Sequence, residues 1–221
     1  MKPVNFTNQY TITAHTGCEG TVDNTVPAIQ AAFDSGADVF EIDIYFDNDG
    51  VPVLSHDAPV GNEVKLDEAF AMMEKKDGIL CNLDIKVTDN LKAIVASAKK
   101  HNVLDRVFYT GIHDGFVENA RYNTPEIPYY LNVGLIPAEE QNEEYILSIV
   151  NKIKECGAIG INSQFRNVTP ELIDTLHQNN LLVSVWTVNE EADMLNIMKL
   201  KPDNITTQRP VLLSSLTKQK T

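Results

Sequence analysis

Six side chains in the first half of this 221-residue chain could do chemistry together: His15, Glu41, Asp43, His56, Asp84 and Lys86. Each falls at or just past the end of a short apolar run, in the stretches Ala14-His15, Glu41-Ile42-Asp43, His56-Asp57 and Asp84-Ile85-Lys86. Two imidazoles, three carboxylates and an ammonium brought to one place are the equipment for metal-assisted cleavage of a phosphodiester. That reaction needs a base to deprotonate the attacking oxygen and an acid to protonate the departing alkoxide, and imidazole serves either need near neutral pH. The residue types leave open which histidine does which.

Spacing says which groups can meet. Successive side chains of a strand point to opposite faces, so Glu41 and Asp43 share one face, as do Asp84 and Lys86, while Ile42, Ile44, Leu83 and Ile85 take the other. Carboxylates converging in a partly dry pocket repel one another, and burying even one ion is costly. A divalent cation resolves the conflict: Glu41, Asp43 and Asp84 offer hard oxygen ligands suited to Mg2+ or Ca2+. Lys86 either neutralises part of the cluster or meets a substrate phosphate, where cation and ammonium alike would stabilise charge on the phosphoryl oxygens. His113 follows the fourth apolar run and stands near the same end, whereas His101 and His177 read as structural.

The elements that must carry these groups are visible as an alternation. Eight β-rich runs, at 11–16, 39–46, 80–86, 107–110, 129–133, 159–163, 181–188 and 204–207, are separated by segments of helical spacing. Thr169 before Pro170-Glu171 predicts a capped helix start, as does Asn189 before Glu190-Glu191; Thr88 or Asp89 is expected to cap the segment 90–100. Eight βα units in a chain of this length predict an α/β fold, the (β/α)8 TIM barrel, whose active sites are built at the C-terminal ends of the strands. No Gly-rich dinucleotide fingerprint follows the first run, which disfavours an open doubly wound sheet. After the second run, Asp47-Asn48-Asp49-Gly50 is a turn signal and 51–55 reads as a short extra hairpin strand that ends at His56-Asp57. No Pro/Gly/Ser-rich linker marks a boundary, so residues 1–221 read as a single domain.

Thirty-one acidic residues against eighteen basic ones give a formal charge of −13. A surface this acidic repels nucleic acid and anionic membranes, which leaves a small-molecule substrate as the expected partner. Cys18, Cys81 and Cys156 are an odd number without metal-ligand spacing and read as free thiols in a reducing compartment. Residues 1–10 lack the apolar core of a signal peptide, and no stretch approaches the roughly 20 apolar residues of a membrane span. The expectation is a cytoplasmic enzyme without stable membrane anchoring.

The same residues resemble a known family, the glycerophosphodiester phosphodiesterases. The resemblance rests on Ala14-His15-Thr16-Gly17, Asp23-Asn24-Thr25, Gly36-Ala37-Asp38, Glu41-Ile42-Asp43, Asp49-Gly50-Val51-Pro52-Val53, His56-Asp57, Asp84-Ile85-Lys86 and Trp186-Thr187-Val188-Asn189, in the family's order and across nearly the whole chain. It implies a (β/α)8 barrel that splits glycerophosphodiesters into an alcohol and glycerol phosphate with a divalent metal and two histidines. It further implies that Glu41, Asp43 and Asp84 are metal ligands, that His15 and His56 are the acid–base pair, that Lys86 contacts phosphate or a ligand, and that Trp186 is an apolar wall.

Four departures from the family pattern bear on the substrate. Thr16 stands where the family usually has Arg, which removes a charge-assisted phosphate contact. Asp84 replaces the usual Glu, Gln208 replaces the Asp of a closing Thr-Asp-Arg-Pro, and the stretch between His56-Asp57 and Asp84 is short, so the family's small inserted cap is expected to be trimmed or absent. Arg166, after the sixth run, is the expected substitute for the missing guanidinium. The alternatives to a hydrolase are a phospholipase D-like lyase related to the sphingomyelinase D enzymes, and a barrel that binds a phosphorylated ligand without turnover.

Overall fold

The computed structural model describes residues 10–218. Its strands are β1 (Thr11–Ala14), β2 (Val39–Phe46), β3 (Pro52–Leu54), β4 (Leu80–Ile85), β5 (Val107–Ile112), β6 (Tyr129–Asn132), β7 (Gly160–Gln164), β8 (Leu182–Trp186) and β9 (Asn204–Thr207). All except β3 pair in parallel with their neighbours, and β1 pairs with both β2 and β9, which closes an eight-stranded barrel. The helices are α1 (Val26–Ser35), α2 (Leu66–Met73), α3 (Leu91–Lys100), α4 (Asp114–Asn123), α5 (Glu143–Cys156), α6 (Pro170–Gln178), α7 (Glu191–Leu200) and α8 (Pro210–Lys218). This is the expected (β/α)8 TIM barrel. The extra strand is present too: β3 runs antiparallel to β2 outside the ring, after a turn in which the Gly50 N–H donates to the Asp47 carbonyl at 2.9 Å.

The helices form where apolar spacing and end chemistry agree. In α5, Ile146, Ile149, Val150 and Ile153 make one buried stripe, Asn142 Oδ1 accepts from the Tyr145 N–H, and Gly157 ends the helix at φ 74°. Each such side chain contributes roughly 1.5–3 kcal/mol by leaving water. Thr169 caps α6 as expected, accepting from the Leu172 N–H at 3.1 Å. Two expected caps are corrected. The residue before α7 is Glu190, without a side-chain cap, because the Asn189 amide is used on Gln208, accepting from its N–H and donating to its Oε1, both at 2.9 Å. Asn90 precedes α3 but donates to the Gly50 carbonyl, and Thr88 accepts from Asn119, so neither Thr88 nor Asp89 caps that helix.

Side chains on the outer strand faces, such as Ile42, Leu83, Leu131, Ile161 and Val183, pack against the helices as a buried core. The barrel interior differs by level. At its lower end Val39, Phe108 and Tyr130 form an apolar plug, with the two rings edge to face at 5.8 Å. Above it the strands turn polar: Thr13, Glu41, Asn82, Thr110, Asn162, Ser184 and Thr206 are buried, and Asn132 is half-buried. They are linked sideways. Asn204 Oδ1 accepts from the Thr11 and Thr13 hydroxyls at 2.8 and 2.7 Å, and its Nδ2 donates to Ser184 Oγ at 2.9 Å. Ser184 Oγ donates to Asn162 Oδ1 at 2.9 Å, and Asn162 Nδ2 to Asn132 Oδ1 at 3.1 Å. Buried polar groups are ordinarily paired in this way, although the Tyr130 hydroxyl in the plug is buried without a partner.

The belt makes a stability prediction. Asn204→Ala takes a partner from four hydroxyls, of which Thr11 keeps the Asp203 carbonyl and Ser184 keeps Asn162 while Thr13 and Thr206 lose theirs, and it leaves a small void, an expected cost of roughly 2–4 kcal/mol. Urea denaturation followed by circular dichroism measures it; a loss within roughly 0.5 kcal/mol, the range of an ordinary surface change, would contradict the structural weight given to the belt.

Candidate active site

The upper rim of the barrel gathers the six residues first singled out. Glu41 and Asp43 stand two apart on β2, Asp84 is near the end of β4, Lys86 just follows it, and His15 just follows β1. The Ser55 N–H donates to the Asp43 carbonyl at 3.1 Å, so β3 ends against β2 and delivers His56 to the same rim. Carboxylate oxygens of Glu41, Asp43 and Asp84 lie within 4.8 Å of one another. They open into a cavity of about 500 Å³ whose wall also includes His15, His56, Lys86, His113 and Trp186.

Each carboxylate has its own support. Glu41, only 5 % exposed, accepts from the Thr16 N–H at 2.9 Å. Asp43 is clamped by Asn24, which donates through Nδ2 to Asp43 Oδ2 at 2.8 Å and accepts the Asp43 N–H at 3.0 Å. Asn24 adopts φ 58°, a left-handed conformation that asparagine tolerates, and its own N–H donates to Thr16 Oγ1 at 2.6 Å. Asp84 accepts from Thr110 Oγ1 at 2.7 Å. The Lys86 ammonium bridges Asp43 at 2.8 Å and Asp84 at 2.5 Å.

Three carboxylates against one ammonium leave two negative charges when all are ionised. The electrostatic strain appears at Glu41. Burial pushes its carboxyl up to about 8; nearby His15 pulls it down, Asp43 and Asp84 push it further up, and the Thr16 N–H pulls it down. Burial works against the charge of Lys86 as well, yet Asp84 and Asp43 outweigh it and raise the ammonium pKa. His15 behaves likewise: burial lowers its pKa, but Glu41, the Thr16 carbonyl, Asp43 and Asp23 together raise it. A carbonyl can only accept, so His15 Nδ1–H donates to Thr16 O at 2.8 Å and Nε2 is the nitrogen left for chemistry.

The other predicted residues divide. His56 is 67 % exposed, with Nδ1 3.2 Å from Asp57 Oδ1. Trp186, at the end of β8, forms part of the wall. Thr16 is buried, and its polar groups serve Glu41 and Asn24 inside the protein. Arg166 is not brought to the cavity: it is exposed, with its guanidinium 5.5 Å from the centroid of the Phe165 ring, and no arginine lines the cavity. The geometry therefore gives no support to Arg166 as the replacement for the missing phosphate contact. Arg209 donates to the Asn189 carbonyl, and Gln208 is bound to Asn189. His101 meets Asp67 at 2.9 Å and His177 meets Asp203 at 2.8 Å, both structural as expected. Between β3 and β4 lie only a loop and α2, which agrees with a trimmed insertion.

Sequence reasoning missed the supporting residues. Asn24 clamps Asp43, Thr110 holds Asp84, and Asn132 and Asn162 form part of the cavity wall. The same two-residue parity applied to Phe108-Tyr109-Thr110, Tyr130-Leu131-Asn132 and Gly160-Ile161-Asn162 would have found the last three, since each puts a polar residue where a barrel interior is ordinarily apolar. His113 does reach the cavity, as the residue before α4, with Nδ1 accepting from the Gly115 N–H at 3.2 Å and its ring 4.0 Å from that of Phe116.

Comparison with known proteins gives the family and agrees with the fold. The model of the glycerophosphoryl diester phosphodiesterase family matches residues 10–77 and 59–212. A glycerophosphodiester phosphodiesterase of Caldanaerobacter subterraneus subsp. tengcongensis is 24% identical over 247 aligned positions, covering 94% of this chain and 98% of that protein. That alignment is longer than the chain, so the relative carries segments absent here. Among solved structures, an Oleispira antarctica phosphodiesterase in complex with the product sn-glycerol-3-phosphate superposes with a TM-score of 0.78 at 19% identity, covering 94% of this chain and 96% of that one. A glycerophosphodiester phosphodiesterase of Thermotoga maritima gives 0.74 at 18% identity, over 94% of this chain and 98% of that one. With the family model spanning nearly all the described residues, the chain belongs to the glycerophosphoryl diester phosphodiesterase family.

Proposed function

We propose that this chain is a metal-dependent phosphodiesterase that hydrolyses a glycerophosphodiester, or a related small phosphodiester, to an alcohol and glycerol phosphate. The observation that carries the reading is the convergence of three carboxylates within 4.8 Å in a cavity also walled by His15 and His56. Family membership supports it, as does the glycerol phosphate bound by the Oleispira antarctica neighbour.

Glu41, Asp43 and Asp84 would hold one Mg2+ or Ca2+, because the donor set is all hard oxygen and its excess charge matches a divalent cation. Bound there, the cation supplies Lewis-acid stabilisation of charge on the phosphoryl oxygens. The chain's own groups do the proton work. His15, its Nδ1–H committed to Thr16, and His56, its Nδ1 turned to Asp57, each keep Nε2 for the substrate. One takes the proton of the attacking oxygen and the other protonates the leaving alkoxide. Lys86 has three donors; two hold Asp43 and Asp84, and the third is left for a phosphoryl oxygen. Trp186 closes one side as an apolar wall. Thr16, placed where an arginine would reach the phosphate, acts by holding Glu41 through its N–H and Asn24 through its hydroxyl.

The free cysteines Cys18, Cys81 and Cys156 support a reducing, cytoplasmic setting. No helix among the described residues is long and apolar enough to cross a membrane, and the charge of −13 favours a small dissolved substrate over an anionic lipid surface or nucleic acid.

Two outcomes follow. Product release from a panel of glycerophosphodiesters should require Mg2+ or Ca2+, vanish with chelator, and fall roughly 10²–10⁴-fold in kcat for either His15→Gln or His56→Gln, with unchanged circular dichroism. Turnover that survives chelation, or survives both substitutions, would exclude this mechanism. The second outcome concerns stability in chelator. A carboxyl whose pKa is raised by folding binds more protons in the folded state, so its stabilisation is present below the unfolded value and is lost as pH rises through the folded one. For Glu41 that window runs from about 4.5 to about 8, and the raised His15 pKa acts in the same direction. The Tm of the metal-free protein should therefore fall across this range and recover on adding the cation; a Tm that rises with pH here would show that Glu41 is not held under strain.

A further inference from the structure

A third histidine, His113, lines the carboxylate cavity, and an irregularity in β5 puts it there. Along a regular strand alternate side chains share a face, so Phe108 and Thr110 point into the barrel while Tyr109 joins the outer core. Continued regularly, that alternation would turn Ile112 inward and His113 out toward the helices. Instead the pairing slips: Tyr109 faces Tyr129 and Ile112 faces Leu131, a step of three residues on β5 against two on β6. The extra residue leaves Thr110 and Gly111 both on the cavity wall, keeps Ile112 buried in the outer core, and aims His113 at the mouth. Gly111 permits it, because its φ is 75° and a Cβ there would run into the Ile85 backbone.

Hydrogen bonding fixes what His113 presents. A backbone N–H can only donate, so the Gly115 N–H, 3.2 Å from Nδ1, identifies that nitrogen as the acceptor and places the ring proton on Nε2. Glycine at 115 lets the first turn of α4 close on the ring, since a Cβ there would lie 3.2 Å from His113 Cε1. Phe116 packs against the imidazole with centroids 4.0 Å apart, so the ring is held from two sides. Among the described residues no atom accepts from its Nε2–H. His15 is the opposite tautomer, with Nδ1–H committed to Thr16 and Nε2 bare. The cavity therefore offers one imidazole that can take a proton and another that holds out an N–H.

An N–H donor suits the anion that a diester carries. Its phosphate has two non-bridging oxygens, which only accept; no arginine lines the cavity, and Lys86 commits two of its three donors to Asp43 and Asp84. β5 pairs with β4, and its Thr110 holds Asp84, so His113 reaches the mouth on the strand next to the one that leads to Lys86. We propose that His113 is a substrate-binding residue whose Nε2–H donates to a non-bridging phosphoryl oxygen, a neutral donor in a cavity that holds no guanidinium. The assignment rests on the phosphodiesterase reading above.

His113→Asn separates this role from helix capping, because the shorter side chain keeps an oxygen for the Gly115 N–H and withdraws the Nε2 donor. The test measures kcat/KM on glycerophosphocholine and on bis(4-nitrophenyl) phosphate, whose nitrophenolate leaves without being protonated, and titrates Mg2+ or Ca2+ into the same variant by calorimetry. kcat/KM should fall roughly 10–100-fold on both diesters, as expected for a hydrogen bond to a charged group, with cation affinity unchanged. His113→Ser, which also caps, should repeat the loss. Unchanged kcat/KM on both diesters would overturn the assignment. So would a loss confined to glycerophosphocholine, which would put His113 at the alcohol arm or make it the acid for the departing alkoxide. Weakened cation binding would overturn it too, by making His113 a support of the carboxylate cluster. If the unaltered protein cleaves neither diester, the phosphodiesterase reading falls and this assignment with it.

Discussion

Everything at the rim of this barrel answers to one constraint: three carboxylates, two of them buried, converge within 4.8 Å and cannot all stay ionised without compensation. Lys86 offsets one charge from 2.8 Å and 2.5 Å. Hydrogen bonds from Thr16, Asn24 and Thr110 hold the three groups in place. What is left can be met by a proton or a cation; burial first, and then Asp43 and Asp84, push the Glu41 carboxyl up to about 8 and so favour a proton there. A proton held at Glu41 occupies the place a divalent ion would take, so metal affinity and protonation are two faces of one balance.

The barrel is arranged to sustain this balance. Parallel strands bring Glu41, Asp43 and Asp84 to one rim from only two strands, while the hairpin strand β3 delivers His56 without burying it. Beneath the carboxylates lies a hydrogen-bonded polar belt rather than a wholly apolar barrel core. The belt costs little because its members are paired, and it lets amide and hydroxyl groups rise into the cavity wall at Asn132, Asn162 and Thr206. Thr16 illustrates the economy of the design: its N–H holds Glu41 and its hydroxyl accepts from the Asn24 N–H.

Strands, helices and the extra hairpin were visible from the sequence because each depends on short-range chemistry: apolar runs, the turn at Asp47-Asn48-Asp49-Gly50, and the Thr169-Pro170 helix start. The carboxylate cluster was visible because parity along a strand is local and the barrel fixes which end is the rim. What stayed hidden depends on contacts between distant segments. Asn189 reads as a helix cap until Gln208, from beyond the next strand, claims its amide. Asn24 gains its role only when Asp43, nineteen residues on, folds against it. Arg166 follows a strand on the correct face of the barrel, but turns to Phe165 rather than to the cavity, a rotamer choice that no spacing rule contains.

The most direct measurement is calorimetric titration of Mg2+ or Ca2+ into the metal-free protein near pH 7, repeated in buffers of different ionisation enthalpy to count the protons exchanged. With Glu41 titrating at about 8, binding should release about one proton per cation near pH 7. That release should disappear in Glu41→Gln. Failure to bind either cation, or binding at pH 7 with no proton release, would contradict the claim that proton and metal compete for this buried cluster.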